Sequence, residues 1–262
     1  MIRHTRAERL LGNQLTACGQ VKTTLQNKRA TTAKDTMTKK IRWLPLDGDA
    51  IAAASSTVSL KQFGFGLAYA KPADYKVKAL TSAITSAIAG KDNTWRNAAT
   101  IYTITHKGHA VHPWQVLHQE PILMARKQIA KHPELRRLFE ETWAPQQPAT
   151  SGQDSAIMMR LRQTAVFLGA AWTSPLSFTL PTGLSFDIVG GPNGWWRHEM
   201  RQALREAVNR QATFRSDNSG QHDGINYAIT TRNLRSKRFG QLYTRPQLLR
   251  YQKVVYGGTP NY

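Results

Sequence analysis

The stretch that most constrains this chain runs from Pro175 to Arg215. In PLSFTLPTGLSFDIV, Leu176, Phe178 and Leu180 alternate with other positions, and Leu184, Phe186 and Ile188 do so again. Pro181-Thr182-Gly183 separates the two runs and supplies a turn, so the spacing predicts an antiparallel hairpin. Gly190-Gly191-Pro192 then leads into GWWRHEMRQALREAVNR. There Trp196, Met200, Ala203, Leu204, Ala207 and Val208 recur at helical spacing, which predicts an amphipathic helix capped by Asn193 or Gly194. Arg197, Arg201 and Arg205 stand four apart and fall in one row beside the apolar face, with Arg210 and Arg215 beyond. Forked guanidinium groups in a row suit phosphate oxygens or guanine edges. The other reading is a solvated helix face whose arginines pair with Glu199 and Glu206.

Charge decides how that row is read. Lys+Arg number 36 against 16 Asp+Glu, a formal charge of +20 over 262 residues. An excess this large favours a polyanionic partner. No apolar run has the length to span a bilayer, and the basic residues do not form a one-sided membrane anchor, so no membrane partner is expected. The hydrophobic fraction of 40% is that of a folded protein. Cys18 is the single cysteine, which excludes internal disulfides and cysteine-based zinc sites and fits a reducing, cytoplasmic location. The basic start of the chain lacks the apolar segment of a secretory signal, and an organelle transit peptide stays open there.

Along the chain, residues 1–40 read as a basic, Thr-rich arm or extension, with a short helix around Leu10, Leu11, Leu15 and Val21. Residues 41–144 read as an α/β lobe. In it Lys40–Leu46 (KIRWLPL) and Thr100–His106 (TIYTITH) are predicted strands. Ala73–Ala89 is a predicted helix with Tyr75, Val77, Leu80, Ile84 and Ile88 on its buried side and Gly90 at its end. Gly64-Phe65-Gly66 suits a turn better than a phosphate loop, because the third glycine and the Lys-Ser/Thr are missing. Glu120–Trp143 is helical with a break at His132-Pro133. Ala144–Gly152 is the linker candidate. Residues 153–262 form the second lobe, with a helix over Asp154–Ala171 built on Ile157, Met158, Leu161, Ala165 and Leu168, then the hairpin, the arginine helix and a basic tail. The fold class read from these elements is α+β: antiparallel sheet elements with packed helices and a protruding basic helix.

The tail carries no acid from Gly224 to the end. Arg232, Arg235, Lys237, Arg238, Arg245, Arg250 and Lys253 are interleaved there with Tyr227, Phe239, Tyr243, Tyr251, Tyr256 and Tyr262. Cations among flat rings hold a phosphate backbone and stack unpaired bases. This pattern tips the arginine row toward nucleic acid. Zinc-finger spacing, a basic region followed by heptads, and the aromatic RNP1 signature are all missing, so the expected partner is RNA, structured or single-stranded.

Residues 176–210, the hairpin, the glycine-rich turn and the arginine helix, resemble parts of the CRISPR repeat-RNA endonucleases of the ferredoxin-like superfamily. In that family the glycine-rich loop usually lies near the C-terminus, and here Gly190-Gly191 lies well upstream. The catalytic histidine there is often early in the chain, where this sequence has only His4. The resemblance implies a ferredoxin-like fold, grip of a repeat stem by basic helices, and cleavage without metal by attack of a 2′-hydroxyl. Such chemistry needs a base, an acid and a cation for the phosphorane charge. His198, beside Arg197 and Arg201, leads the candidates, with His106, His109 and His222 after it; Arg232, Arg238 and Tyr243 also qualify.

The H-x2-H-x2-H run at His106, His109 and His112, with His118 following, leaves metal binding, acid–base work and ordinary loop histidines open. No metal and no cofactor is expected from the rest of the sequence. The expected function is an RNA-binding protein that processes a structured RNA and stays bound to it, alone or with other subunits of a ribonucleoprotein. The alternative is a binder without chemistry: a ribonucleoprotein subunit, a plasmid or phage DNA-binding protein, or a packaging protein.

Overall fold

The computed structural model describes residues 7–10, 13–16, 23–46, 48–89, 98, 101–102, 111–143 and 156–213. Ala7–Leu10 (β1) and Asn13–Thr16 (β2) pair antiparallel, with Ala7 opposite Thr16. The short helix expected around Leu10 and Leu15 is therefore a two-stranded ribbon.

Residues 24–39 are not part of an arm. Thr24–Lys39 forms α1, whose Gln26, Ala30, Ala33 and Met37 are buried at 4, 3, 4 spacing in a first hydrophobic core. Two of the four are alanines, so the apolar stripe is too thin to stand out in sequence. The hydroxyls of Thr31, Thr32 and Thr36 donate to the carbonyl four residues back, which removes their demand for water. Lys40–Leu46 is not a strand either. Ile41–Trp43 is a 3-10 turn that closes α1, with Ile41 in the core and Trp43 Nε1 donating to the Thr38 carbonyl at 3.1 Å. Gly48–Ala54 (α2) runs through a π-helical turn, Ser55–Ser59, into Leu60–Gly64 (α3). Gly66 then turns the chain at φ 83°, and the Phe65 carbonyl accepts from Gln26 and Arg29; Gly66 serves a turn, while Gly64 ends α3.

Asp74–Ala89 is α4, with Val77, Leu80, Ile84 and Ile88 buried as expected. Tyr75 is 65% exposed, because two residues before Val77 is the opposite side of a helix. Ile101 and Tyr102, the described residues of the expected strand at 100–106, are helical, and the Tyr102 hydroxyl donates to the Thr81 carbonyl at 3.2 Å. Gly90 and Ala144–Gly152 lie outside the described residues.

Pro113–Lys131 is α5. Its Pro113 begins the helix, and His112 caps it by accepting from the Trp114 N–H at 3.2 Å. The helix belongs to two cores. Leu117 packs in the first, while Ile122, Ala125 and Ile129 pack in the second. The change from the first core to the second therefore falls inside α5.

The changeover coincides with Pro121 inside the helix. Proline has no N–H, so the carbonyl four residues back, that of Leu117, loses its helical partner. Arg160 supplies one: its Nη2 donates to Leu117 O at 2.9 Å while its Nε donates to Leu67 O at 3.0 Å. The Arg160 side chain is fully buried, also bonded to Gln163, and burial lowers its pKa to about 10, so it stays charged at neutral pH.

The second core adds Leu135–Thr142 (α6), Ala156–Leu168 (α7), a sheet and a last helix, Asn193–Thr213 (α8). The break between α5 and α6 falls at His132–Glu134, as expected. The sheet is an antiparallel meander of Ala171–Ser174 (β3), Ser177–Thr179 (β4) and Ser185–Asp187 (β5), with Phe178 opposite Phe186. Both phenylalanines, Leu176, Leu180 and Ile188 are buried, and Gly183 makes the turn at φ 82°. β3 has no local signal; Ala171–Ser174 lacks apolar alternation and pairs only because β4 lies beside it. The class is thus α+β and mostly helical, with no helix among the described residues long and apolar enough to cross a membrane.

Two outcomes follow. Arg160→Met strips donors from two buried carbonyls and should cost about 3–5 kcal/mol. In a Pro121→Ala background the N–H restored at position 121 reaches Leu117 O, so the same change should cost about 1 kcal/mol less in urea unfolding; strict additivity of the two substitutions would disprove the coupling.

The second concerns pH. Burial lowers the His112 pKa to about 3 and holds His118 well below its usual value, helped by Arg160 and Lys71. Both are neutral in the fold, but in the unfolded chain they titrate near 6.5. Below that pH the unfolded state binds more protons. Stability is therefore full above about pH 6.5 and falls toward the folded values, by about 1.4 kcal/mol per pH unit per histidine. His112→Asn keeps a capping side chain and should show a shallower loss between pH 6 and pH 4 (roughly the window set by these values) in urea midpoints. Identical slopes would count against the assignment.

Candidate nucleic-acid interface

Helix α8 starts at Asn193 because the turn before it is held from outside. Arg126, on α5, donates through Nη1 to the carbonyls of Ile188 and Gly190, each at 2.9 Å. Its Nη2 donates to the Gly191 carbonyl at 2.8 Å and to Asn193 Oδ1 at 3.0 Å, and Nε also reaches Asn193 Oδ1. The guanidinium lies 4.9 Å from the Trp196 ring centre. Partial burial lowers the Arg126 pKa, with Asp187 opposing and Arg197 adding to the shift. Glycine is required twice here. A Cβ on Gly190 would come within 2.9 Å of the Asp187 carboxylate, and Gly191 sits at φ 75° with a Cβ position 3.0 Å from the Trp195 ring.

The helix does not protrude. Trp196, Met200, Ala203, Leu204, Ala207 and Val208 are all buried, so one whole face is core. Trp196 anchors the start: its Nε1 donates to the Asp187 carbonyl at 3.0 Å and its ring packs 5.1 Å from Phe186. The hairpin and the helix, adjacent in sequence, are thus packed on each other.

The arginine row stands beside that face. Arg197 is exposed, and Arg201 and Arg205 are half-buried. None of the three is in an ion pair among the described residues, and Glu206 accepts instead from Gln202 at 3.4 Å. The Arg201 Nε is buried without a hydrogen-bond partner. Pairing with Glu199 and Glu206 is therefore not what these arginines do. Arg210 differs from them, since its Nη2 donates to the Leu168 carbonyl at the end of α7.

The row is set apart by what the remaining arginines do. Arg29, Arg126, Arg160 and Arg210 donate to backbone carbonyls. Arg136 and Arg137 pair with Glu140 and Glu141 four residues on. Arg42 and Arg162 lie over Trp43 and Trp172. Among arginines whose side chains are described, Arg197, Arg201 and Arg205 are the three without such a partner, and they follow one another along one helix.

The histidines divide. His198 is exposed on α8, one residue from Arg197. His112 is a buried cap against Tyr102, and His118 is buried, stacked on Phe167 at 3.9 Å with Nδ1 3.2 Å from Thr164 Oγ1. Both have structural roles. His106, His109, His222 and the tail residues Arg232, Arg235, Lys237, Arg238, Tyr243, Arg245 and Arg250 lie outside the described residues. Among the described residues no group of His, Cys, Asp and Glu is placed to hold a metal ion.

The sequence reading missed two residues of this region. Arg126 carries no local signal, because its partners are more than 60 residues away. Trp195 is 45% exposed beside the fully buried Trp196, and only the helix phase, set by Trp196 and Met200 facing inward, separates the two.

Arg126→Ala removes the five guanidinium hydrogen bonds to the turn and should lower stability by about 2–4 kcal/mol. Arg126→Lys, a point donor without the fork, should recover less than half of it. Thermal melts and protease sensitivity of the 188–193 segment read both; an Arg126→Ala variant as stable as the parent would show that the turn holds itself.

Comparison of the chain with protein-family models, with curated proteins and with solved structures finds no match, so its functional reading rests on the geometry above.

Proposed function

We propose that the protein binds RNA through the outer side of α8, with the acid-free tail beyond residue 224 as a second contact. The carrying observation is the row of Arg197, Arg201 and Arg205, which has no acid partner among the described residues in a chain of formal charge +20. Four residues of helix rise about 6 Å, a step comparable with that between successive phosphates on one strand. The packed helix fixes the backbone positions of the row before the ligand arrives, so only the side chains have to be ordered on binding.

The proposal extends to processing of a structured RNA without metal, with His198 as the base or acid and a neighbouring arginine facing the phosphorane charge. His106 and His109 are the further candidates for the second proton-transfer group. The ferredoxin-like form of the fold belongs to the same reading, and it requires strands in addition to the β3-β4-β5 meander. A cytoplasmic ribonucleoprotein is the matching context, with product held after cleavage. Binding without cleavage is the second reading. It is favoured by one observation: no described group is hydrogen-bonded to His198 to orient it.

Arg201→Ala with Arg205→Ala should weaken binding to an RNA hairpin about tenfold or more, and should lower the slope of log affinity against log salt by roughly one per arginine. Unchanged affinity and slope would remove α8 from the interface. Incubation of the parent with the RNA that co-purifies with it, in EDTA, separates the two readings. A discrete new end that His198→Ala abolishes supports processing; intact RNA supports binding alone.

A further inference from the structure

We infer that α8 holds one unpaired strand of RNA along its arginine flank, and that Glu199 and Glu206 on the opposite flank keep the helix off duplexes. This rests on the RNA-binding reading above and adds to it the strand state of the ligand. The buried residues Trp196, Met200, Ala203, Leu204, Ala207 and Val208 fix the direction in which α8 faces the core. At about 100° per residue, Arg201 and Arg205 fall roughly 100° and 140° to one side of that direction. Glu199 and Glu206 fall roughly 100° and 120° to the other side. His198 and Gln202 lie between the two flanks, on the ridge opposite the core.

Burial agrees with this division. Arg201, Arg205, Glu199 and Glu206 are all half-buried, as flank positions are, whereas His198 and Gln202 are exposed. Arg197, in the first turn, is exposed and carries the basic flank toward the start of the helix. The two glutamates are seven residues apart, about 10 Å along the axis, and run alongside the arginine row. At least about 100° of helix separates each arginine of the row from either glutamate. That separation is why the row has no ion pair among the described residues. Glu206 accepts from Gln202 at 3.4 Å instead. Arg210 lies nearer the acidic flank, and its Nη2 donates to the Leu168 carbonyl.

A phosphate backbone meets the two flanks differently. Double-stranded RNA contacted across its minor groove presents a phosphate strand on each side of the contact. α8 would answer one strand with arginines and set carboxylates against the other, and like charges brought together at an interface reject a partner. A single strand that follows the arginine flank meets cations only. Its bases then face the ridge of His198 and Gln202, whose polar groups can hydrogen-bond the edges of unpaired bases. A hairpin reaches such a site through its loop or an unpaired tail, not through its stem.

The test uses the full chain and a short end-labelled oligouridine, free or annealed to oligoadenosine. Anisotropy titrations at one salt concentration give both affinities. The parent should prefer the single strand about tenfold or more. Glu199→Gln with Glu206→Gln should raise affinity for the duplex roughly tenfold and for the single strand less than about threefold. Glu140→Gln with Glu141→Gln changes the net charge equally on another helix and should leave the preference at its parental value. Arg201→Ala with Arg205→Ala should weaken the single strand most and remove the preference. A parent that binds the duplex as tightly as the single strand overturns the inference and leaves the RNA reading standing. So does an equal gain on both forms for the α8 glutamate variant, or a gain matched by the α6 variant, because net charge alone then accounts for it. If the α8 glutamate variant melts early, the preference of the parent and its loss with Arg201 and Arg205 decide alone. A parent that binds neither form overturns both readings.

Discussion

One buried cation ties this molecule together. Pro121 interrupts α5 where the helix passes from one hydrophobic core to the other, and the Leu117 carbonyl loses its helical N–H there. An unpartnered buried carbonyl is costly. Arg160 reaches it from α7, and with its remaining nitrogens it also holds Leu67 O and Gln163. The side chain thus joins Leu67, the Leu117 carbonyl of the shared helix and Gln163 of α7. Thr164, one turn further along α7, adds a second link to α5 by donating to the His118 carbonyl. α5 can carry a proline where it changes cores because Arg160 of α7 supplies the donor that the Leu117 carbonyl lacks.

The same chemistry recurs across the molecule, and composition explains why. With 36 basic and 16 acidic residues, carboxylates are too few to partner the arginines. Carbonyl oxygens at turns and helix ends take their place: Phe65 for Arg29, Ile188, Gly190 and Gly191 for Arg126, Leu168 for Arg210. A guanidinium serves this use well, since its donors are spread in a plane and meet several carbonyls at once. Against that background the row on α8 stands out. Among the described residues Arg197, Arg201 and Arg205 have neither a carbonyl nor a carboxylate partner.

Arg126 connects the two themes. It is a structural arginine by its bonds, and through them it sets where α8 begins and where Trp195 rests. The start of α8 is therefore held from α5, the helix that Arg160 also bonds.

What the sequence by itself determined is the set of elements with strong local periodicity. Val77, Leu80, Ile84 and Ile88, the break at His132-Pro133, the hairpin of Leu176 to Ile188 and the apolar stripe of α8 are legible because a stripe of large side chains specifies helix or strand without reference to neighbours. The arginine row is legible for the same reason, as a spacing of four. Tertiary structure decided the rest. α1 has a buried face made largely of alanine, which becomes a core element only when α3 and α4 cover it. Lys40–Leu46 alternates like a strand but has no sheet beside it, so it closes a helix instead. β3 exists because β4 offers it a partner. The roles of Arg126 and Arg160 depend on carbonyls 93 residues away or fewer, and no local pattern announces a carbonyl that lacks a donor. Side-chain periodicity is written in the chain, whereas the demand of a stranded backbone group arises only once the fold has buried it.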